Sequence, residues 1–448
     1  MRADATATST SWWALTCGLL DRFAASGTPA PNGRADARCD SWVDVTVAAE
    51  DVLRGIEPHT PWPPAGLATA LQSLVGAAVV PADAAHAVAW VLDERYSRTF
   101  PDDWAAAATS GTWELAPEEP YPVLDSPWSL FHPHLSRAAS LTDPGRDELP
   151  HVRRFRPTAR QRDKVARVEV HRVHTLLRDV LAPLERVATA HPNVGWDEME
   201  WPSDGVLWPV QVRDASGQDA RIRAAVRDAL AAGCRLIVLP ELSATGRTAS
   251  EVQAVLDDHL DRHEDAAIVI AGSRHVTDPA AGRRNRAETV LAGTALRLTH
   301  DKLVPFRIGA DMEALDNALP TLHLYQDGPF RFAVAICKDL LDADVHALLG
   351  ALGVNLLATP AMSSKTGNFP HAAGGLLNAA QTFTIVANGP LAAVDGSPLP
   401  ACSITGRPTS EHEAVRAWPL TASAPLCPVR VVHPPGSEPV AASRVRGR

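Results

Sequence analysis

Phe330-Arg331-Phe332-Ala333-Val334-Ala335-Ile336-Cys337 is an almost unbroken apolar run that stops on a thiol, and Arg235-Leu236-Ile237-Val238-Leu239-Pro240-Glu241 is a second that stops on a carboxylate. Runs of this length and continuity suit strands buried on both faces, as in a sheet covered by further layers. Around them the pattern alternates. Positions 206–212, 267–272, 289–298, 322–325, 354–358 and 383–387 read as strands, and 220–232, 340–352 and 372–382 read as helices. Strands and helices in such alternation predict α/β layers from about position 200 onward.

The first half reads differently. Apolar residues recur at three- and four-residue spacing over 47–56, 67–80 and 82–98, with Pro81 at a natural helix start. Positions 100–157 are rich in Pro, Trp and Ser and predict an irregular connection. Val165, Val168, Val173, Leu176, Leu177, Val180, Leu181, Leu184 and Val187 predict a long amphipathic helix, kinked at Pro183 and opened by a basic run from Arg153 to Arg167 that reads as a solvated face. The division that follows is a mostly helical N-terminal region at 1–199 of open role, an α/β domain at 200–432 and a tail at 433–448.

Composition narrows the function classes. Of 448 residues, 46% are hydrophobic and 21% charged, which fits a packed globular chain. A net charge of −10 offers no general attraction to nucleic acid or anionic membrane, so neither is an expected partner. No apolar run approaches the roughly 18 residues that span a bilayer. The stretch Trp12 to Leu20 is weakly leader-like, but Asp4 precedes it and Asp21-Arg22 follow it. The six cysteines show neither a CxxC pair nor metal-ligand spacing, and read as reduced thiols of a cytoplasmic protein. Among 42 basic residues only Lys164, Lys302, Lys338 and Lys365 are lysines, so a lysine here points to a place that needs a compact ammonium.

Three strand ends each deliver one reactive group: Glu241 after Leu239-Pro240, Lys302 after Leu298-Thr299-His300-Asp301, and Cys337 after Ala335-Ile336. In layered α/β folds sites collect where strands end. Singly, each has an ordinary reading as a loop carboxylate, a surface charge or an inert buried thiol. A cysteine that attacks an electrophilic carbon needs a thiolate, a group to take and return its proton, and a cation for the charge that develops.

Together the stretches Leu239-Pro240-Glu241-Leu242-Ser243-Ala244-Thr245-Gly246, His300-Asp301-Lys302-Leu303-Val304-Pro305-Phe306 and Ala335-Ile336-Cys337-Lys338-Asp339-Leu340 resemble the nitrilase superfamily of carbon–nitrogen hydrolases. Their order and their separations of 61 and 35 positions (241 to 302 to 337) resemble that family's, as do Ala358-Thr359-Pro360 and Ile385 to Gly389. The resemblance implies a four-layer αββα sandwich, here preceded by the mostly helical N-terminal region. It implies Cys337 as nucleophile, Glu241 as general base, Lys302 as oxyanion stabiliser and the backbone N–H of Lys338 as a second oxyanion donor. It further implies a second carboxylate supporting the lysine, for which Asp311 or Glu313 stands in place. No metal or organic cofactor is expected, and the implied substrate is a small amide, carbamoyl compound or nitrile.

The chain is a divergent match. Lys338 follows the nucleophile where an aromatic residue or Glu is common, which would favour an anionic substrate. Leu376-Leu377-Asn378-Ala379-Ala380 replaces a charged stretch of the family's usual subunit interface. A homo-oligomer, or a protein partner held by the N-terminal region, is compatible with this pattern. Two other readings stand beside hydrolysis: N-acyl transfer, and a nitrilase-like fold kept as an inactive scaffold. Other signals are weak. The chain has no GxGxxG, GxxxxGK, HExxH or GxSxG motif, and His171 with His174, or His132 with His134, makes no metal set by sequence alone.

Overall fold

The structure is a computed structural model and describes residues 11–27, 39–58, 60, 62–100, 113–115, 121–124, 149, 151–173, 186–202, 206–263, 266–294, 297–316, 319–327, 330–407 and 415–430. Two sheets form its centre. The larger has eight strands in the order Trp113–Glu114, Arg167–Arg172, Thr321–Asp327, Phe330–Val334, Leu356–Met362, Phe383–Gly389, Ser403–Gly406 and Val415–Trp418. The smaller has six, in the order Arg297–Asp301, Gly282–Leu291, Ile268–Asp278, Leu236–Val238, Arg186–Ala190 and Leu426–Arg430.

The strand Leu236–Val238 explains its own sequence. Leu236 and Val238 join the core between the two sheets, whereas Ile237 and the following Leu239 pack outward with Ile222, Val226, Val252 and Leu256 of the helices Ala215–Ala231 and Thr248–His263. With both faces covered, every position must be apolar. On the far side of the larger sheet lie Lys338–Leu341, Ala343–Ala351 and Asn368–Ala380, the last packed on Phe383–Gly389 and Ser403–Gly406. Helices, sheet, sheet and helices give the expected four-layer αββα sandwich.

A mostly helical region precedes it, also as expected: Trp12–Ala25, Cys39–Val52, Leu67–Ala77 and Pro81–Tyr96. Pro81 opens the last of these, where its missing N–H has no helical partner to lose. The weakly leader-like stretch is the first helix. Ser11 caps it, Trp12 stacks on Tyr96 with ring centroids 3.6 Å apart, and Trp12 and Phe23 are fully buried.

Four expectations need correction. Positions 289–298 are not one strand but the end of Gly282–Leu291, a turn, and the start of Arg297–Asp301. The long amphipathic helix over 165–187 is not there: Ala159–Lys164 is a short helix, while Arg167–Arg172 and Arg186–Ala190 are strands, one in each sheet; positions 174–185 lie outside the described residues. Positions 206–212 form two short strands, Val206–Leu207 and Gln211–Val212, in separate small sheets rather than one. The helix read over 340–352 is two, broken at Asp342, whose carboxylate accepts from the N–H of Asp344 and Val345 and caps the second. His132, His134, His174 and the tail at 433–448 lie outside the described residues. Among the described residues no helix is long and apolar enough to cross a membrane.

Candidate active site

Glu241 sits in the turn after Leu236–Val238, its N–H donating to the carbonyl of Ala361 in the facing sheet at 3.3 Å. The turn is tight. Leu242 adopts φ 55°, its N–H donates to Ser273 Oγ at 3.1 Å, and Ser243 Oγ donates to the Pro240 carbonyl at 2.7 Å. Gly272 lets this happen: at φ +72°, a Cβ there would lie 2.6 Å from the Pro240 oxygen and overlap Ser243 Oγ.

Lys302 leaves the strand Arg297–Asp301 with its N–H on the Asn285 carbonyl at 2.8 Å. Its ammonium donates to Glu241 Oε1 and to Glu313 Oε2, both at 2.7 Å. Glu313 rather than Asp311 supports the lysine, because the two carboxylates occupy different places on the strand Asp311–Glu313. Asp311 pairs with Ile308 in the neighbouring hairpin, and Glu313 is buried. Lys302 Nζ also lies 5.7 Å from the Phe306 ring centroid, within cation–π range.

Cys337 follows the strand Phe330–Val334, with its N–H on the Pro360 carbonyl at 2.8 Å and its backbone at φ 49°, ψ −96°. A non-glycine residue held on the left-handed side stores strain, and such strain concentrates at functional positions. The thiol donates to the Met362 carbonyl at 3.9 Å, and the Glu241 and Lys302 charges are near enough to shift its proton affinity. Lys338 begins the short helix beyond it, so its N–H is one that the helix does not bond internally.

Three neighbours that the sequence reading passed over bind this cluster. Asn285 Nδ2 donates to Glu241 Oε1 at 2.9 Å and to Glu313 Oε1 at 2.8 Å. Its register partner in the facing strand, His275, accepts from the Val210 N–H on Nδ1 at 2.9 Å. With Nδ1 accepting, Nε2 is the ring nitrogen that donates to Glu313 Oε1, at 3.0 Å. Asp339 ties the lysine loop to the cysteine turn, since Oδ1 accepts from the N–H of Leu303 and Val304 at 3.0 and 2.8 Å and Oδ2 from that of Ile336 at 3.0 Å. A signal for Asn285 existed in the sequence, as the one uncharged polar side chain within Arg283-Arg284-Asn285-Arg286.

Burial and charge set the proton affinities. Burial pushes Glu241 up, and the Lys302 charge only partly offsets it. Burial would push Glu313 up as well, but the Lys302 charge and the His275 hydrogen bond outweigh it and hold the carboxyl at about 2. For Lys302 burial alone would favour the neutral amine, yet Glu241 and Glu313 keep it charged. The Cys337 thiol is raised well above its ordinary value, first by burial and then by the Glu241 charge. Cys337 therefore rests as a neutral thiol, with the Lys302 ammonium and the Glu241 carboxyl group close by.

Glu241, Lys302 and Glu313 line a cavity of about 20 Å³, room for roughly one water molecule. Its other walls are Trp196, Trp201, Leu207, Val210, Leu242, His275, Phe306 and Met362. Trp196 stacks on Trp201 at 5.6 Å, and its indole N–H donates to the Ala392 carbonyl at 2.9 Å. Neither the Lys338 side chain nor Cys337 is part of this lining.

No protein-family model and no curated protein matches the chain. Solved structures similar to it include an amidase from Nesterenkonia sp. AN1, captured with the result of Michael addition of acrylamide at its active site cysteine. That protein is 14% identical at a TM-score of 0.39, over 55% of this chain and 92% of its own. A cysteine variant of that amidase, described as from the nitrilase superfamily, is 13% identical at a TM-score of 0.38, over 55% and 90%. A glutamine-dependent NAD+ synthetase from Acinetobacter baumannii is 15% identical at 0.38, over 55% of this chain and 45% of its own.

Proposed function

We propose that the protein is a carbon–nitrogen hydrolase that cleaves a small non-peptide amide, carbamoyl compound or nitrile through a thioester on Cys337. The observation that carries this reading is the meeting of one buried ammonium, one carboxylate hydrogen-bonded to it and one thiol whose proton affinity both charges shift, brought from three separate strand ends.

In this mechanism the Cys337 sulfur attacks the substrate carbonyl carbon while its proton passes to Glu241, whose raised affinity suits it to hold one. Charge develops on the carbonyl oxygen, which the Lys302 ammonium and the Lys338 N–H stabilise. Glu241 then returns the proton to the leaving nitrogen, the carbon–nitrogen bond breaks, and an amine or ammonia departs. Water, giving one proton to Glu241, attacks the thioester carbon; the carbon–sulfur bond breaks, Glu241 returns that proton to the Cys337 sulfur, and the carboxylic acid leaves. Glu313, His275 and Asn285 position Lys302 and Glu241 and take no part in bond making. The aromatic walls beside Glu241 and Lys302 favour an uncharged acyl group over the anionic substrate that Lys338 suggested.

The test is intact-protein mass spectrometry on the full chain mixed with short-chain amides, carbamoyl compounds and nitriles. The expected result is an acyl adduct that maps to Cys337 and is absent from Cys337→Ala. A Cys337 that any small electrophile alkylates, yet that forms no adduct and no acid product with any compound, would overturn the hydrolase reading in favour of a scaffold. Supplying an amine acceptor and finding the new amide in place of the acid would assign acyl transfer instead.

A further inference from the structure

We propose that Glu169, His171 and His323 form a site for one divalent transition-metal ion, zinc by preference, at the edge between the two sheets and apart from the Cys337 cluster. The strands Arg167–Arg172 and Thr321–Asp327 run parallel, with His323 in register with Glu169 and Tyr325 with His171. Glu169 and His171 are two positions apart and so share one face, onto which His323 projects from the neighbouring strand.

Three ligand atoms converge there. His171 Nε2 lies 2.9 Å from His323 Nδ1, His323 Nδ1 lies 3.3 Å from Glu169 Oε2, and Glu169 Oε2 lies 3.6 Å from His171 Nε2. A tetrahedral zinc ion with bonds of about 2.0–2.1 Å keeps its ligand atoms about 3.3 Å apart, close to the middle of these three values. Protons alone satisfy the triangle poorly. Were His171 Nε2–H to donate to His323 Nδ1, the carboxylate would face an imidazole lone pair; were His323 Nδ1–H to donate to Glu169, the His171 lone pair would face it. A cation at the centre removes the conflict in either case.

The surroundings suit a metal. The Tyr325 ring stacks on His171 at 5.0 Å and fixes its plane. Side-chain exposures of 39%, 30% and 19% for His171, Glu169 and His323 leave a path for an ion and a place for water as fourth ligand. Two imidazoles and one carboxylate are a borderline donor set, which selects zinc and its first-row neighbours over magnesium or calcium.

The experiment uses the full chain stripped with a chelator and titrated with Zn²⁺ against a chromophoric competitor. One ion per chain is expected, with affinity lowered about 10- to 100-fold or more in His171→Ala, His323→Ala and Glu169→Gln, and unchanged in Cys337→Ala. Co²⁺ in place of Zn²⁺ should give the visible absorption of a four-coordinate ion, altered in Glu169→Gln. That isostere preserves side-chain shape and decides the matter should a histidine variant misfold. No stoichiometric Zn²⁺ in the parent protein, equal affinity in the three ligand variants, or displacement by modest Mg²⁺ would each overturn the assignment.

Discussion

Replacing Glu313 with glutamine keeps the outline of the side chain and removes its charge. Both of its oxygens are already filled, Oε1 by Asn285 Nδ2 at 2.8 Å and His275 Nε2 at 3.0 Å, Oε2 by Lys302 Nζ at 2.7 Å and the Phe306 N–H at 2.9 Å. A glutamine must turn its NH₂ toward one of these pairs, so either His275 Nε2 or the Phe306 N–H loses its acceptor, while Asn285 and Lys302 keep Glu241. At about 1–3 kcal/mol for the unsatisfied donor, and with half the counter-charge of a buried ammonium gone, Glu313→Gln should destabilise the protein by about 3–5 kcal/mol. Denaturant unfolding measures this, with Asp311→Asn expected within about 0.5 kcal/mol of the parent as the control. The acid limb adds a second readout. Glu313 is held at about 2 against an ordinary 4.5, so its contribution is fully present above pH 4.5 and is lost as pH falls through the folded value. The parent should lose more stability than Glu313→Gln over that window. Turnover should fall about 100-fold in the variant as Lys302 shifts toward Glu241. A Glu313→Gln protein with parental midpoint and acid limb would refute the idea that this carboxylate holds the lysine.

Glu241→Gln should lower turnover by about 10²- to 10⁴-fold while moving the pH midpoint of Cys337 alkylation by iodoacetamide downward, because a charge that raises the thiol has gone and Lys302 remains; a midpoint that stays put or rises contradicts the pairing. Asp339→Asn turns an NH₂ toward at least one of three backbone N–H groups that now find a carboxylate. It should cost about 1–3 kcal/mol in denaturant unfolding and quicken Cys337 alkylation as the two loops loosen. Gly272→Ala puts a Cβ against Ser243 and Pro240 at φ +72°, and a loss of about 2 kcal/mol or more is expected; an unchanged melting temperature would show that the Glu241 turn yields freely.

How much of this was legible in the sequence depends on how each element is stabilised. Strands covered on both faces, Leu236–Val238 and Phe330–Val334 among them, announce themselves because every position must be apolar. Glu241 and Cys337 are legible for a related reason, since each ends such a run, whereas Lys302 follows the alternating strand Arg297–Asp301 and is marked by being one of four lysines. Partners that only complete a hydrogen-bond network leave no such mark. His275 and Asn285 meet because their strands pair antiparallel in that register, and nothing local in either strand encodes the pairing. Trp196 and Trp201 become cavity walls through a stack and an indole bond to Ala392, far along the chain.

The stretch from Arg167 shows how one wrong period hides chemistry. Val168 and Val170 are buried while Glu169 and His171 alternate with them, a two-residue repeat that belongs to a strand. The helical spacing of Val165 to Val168 and of Val173 to Leu176 masks it, because these three-residue steps fit a helix and outnumber the single two-residue step from Val168 to Val170. Pairing with Thr321–Asp327 decides for the strand, since that neighbour offers a full parallel ladder that a helix would leave unpaired. The choice reassigns the histidines. On a helix His171 would look for His174; on a strand it shares a face with Glu169 and meets His323, 152 positions away. Whether the three hold a metal therefore tests the register of this sheet edge as well as its chemistry, because a slip of one residue would turn Glu169 and His171 to the opposite face and leave His323 without them.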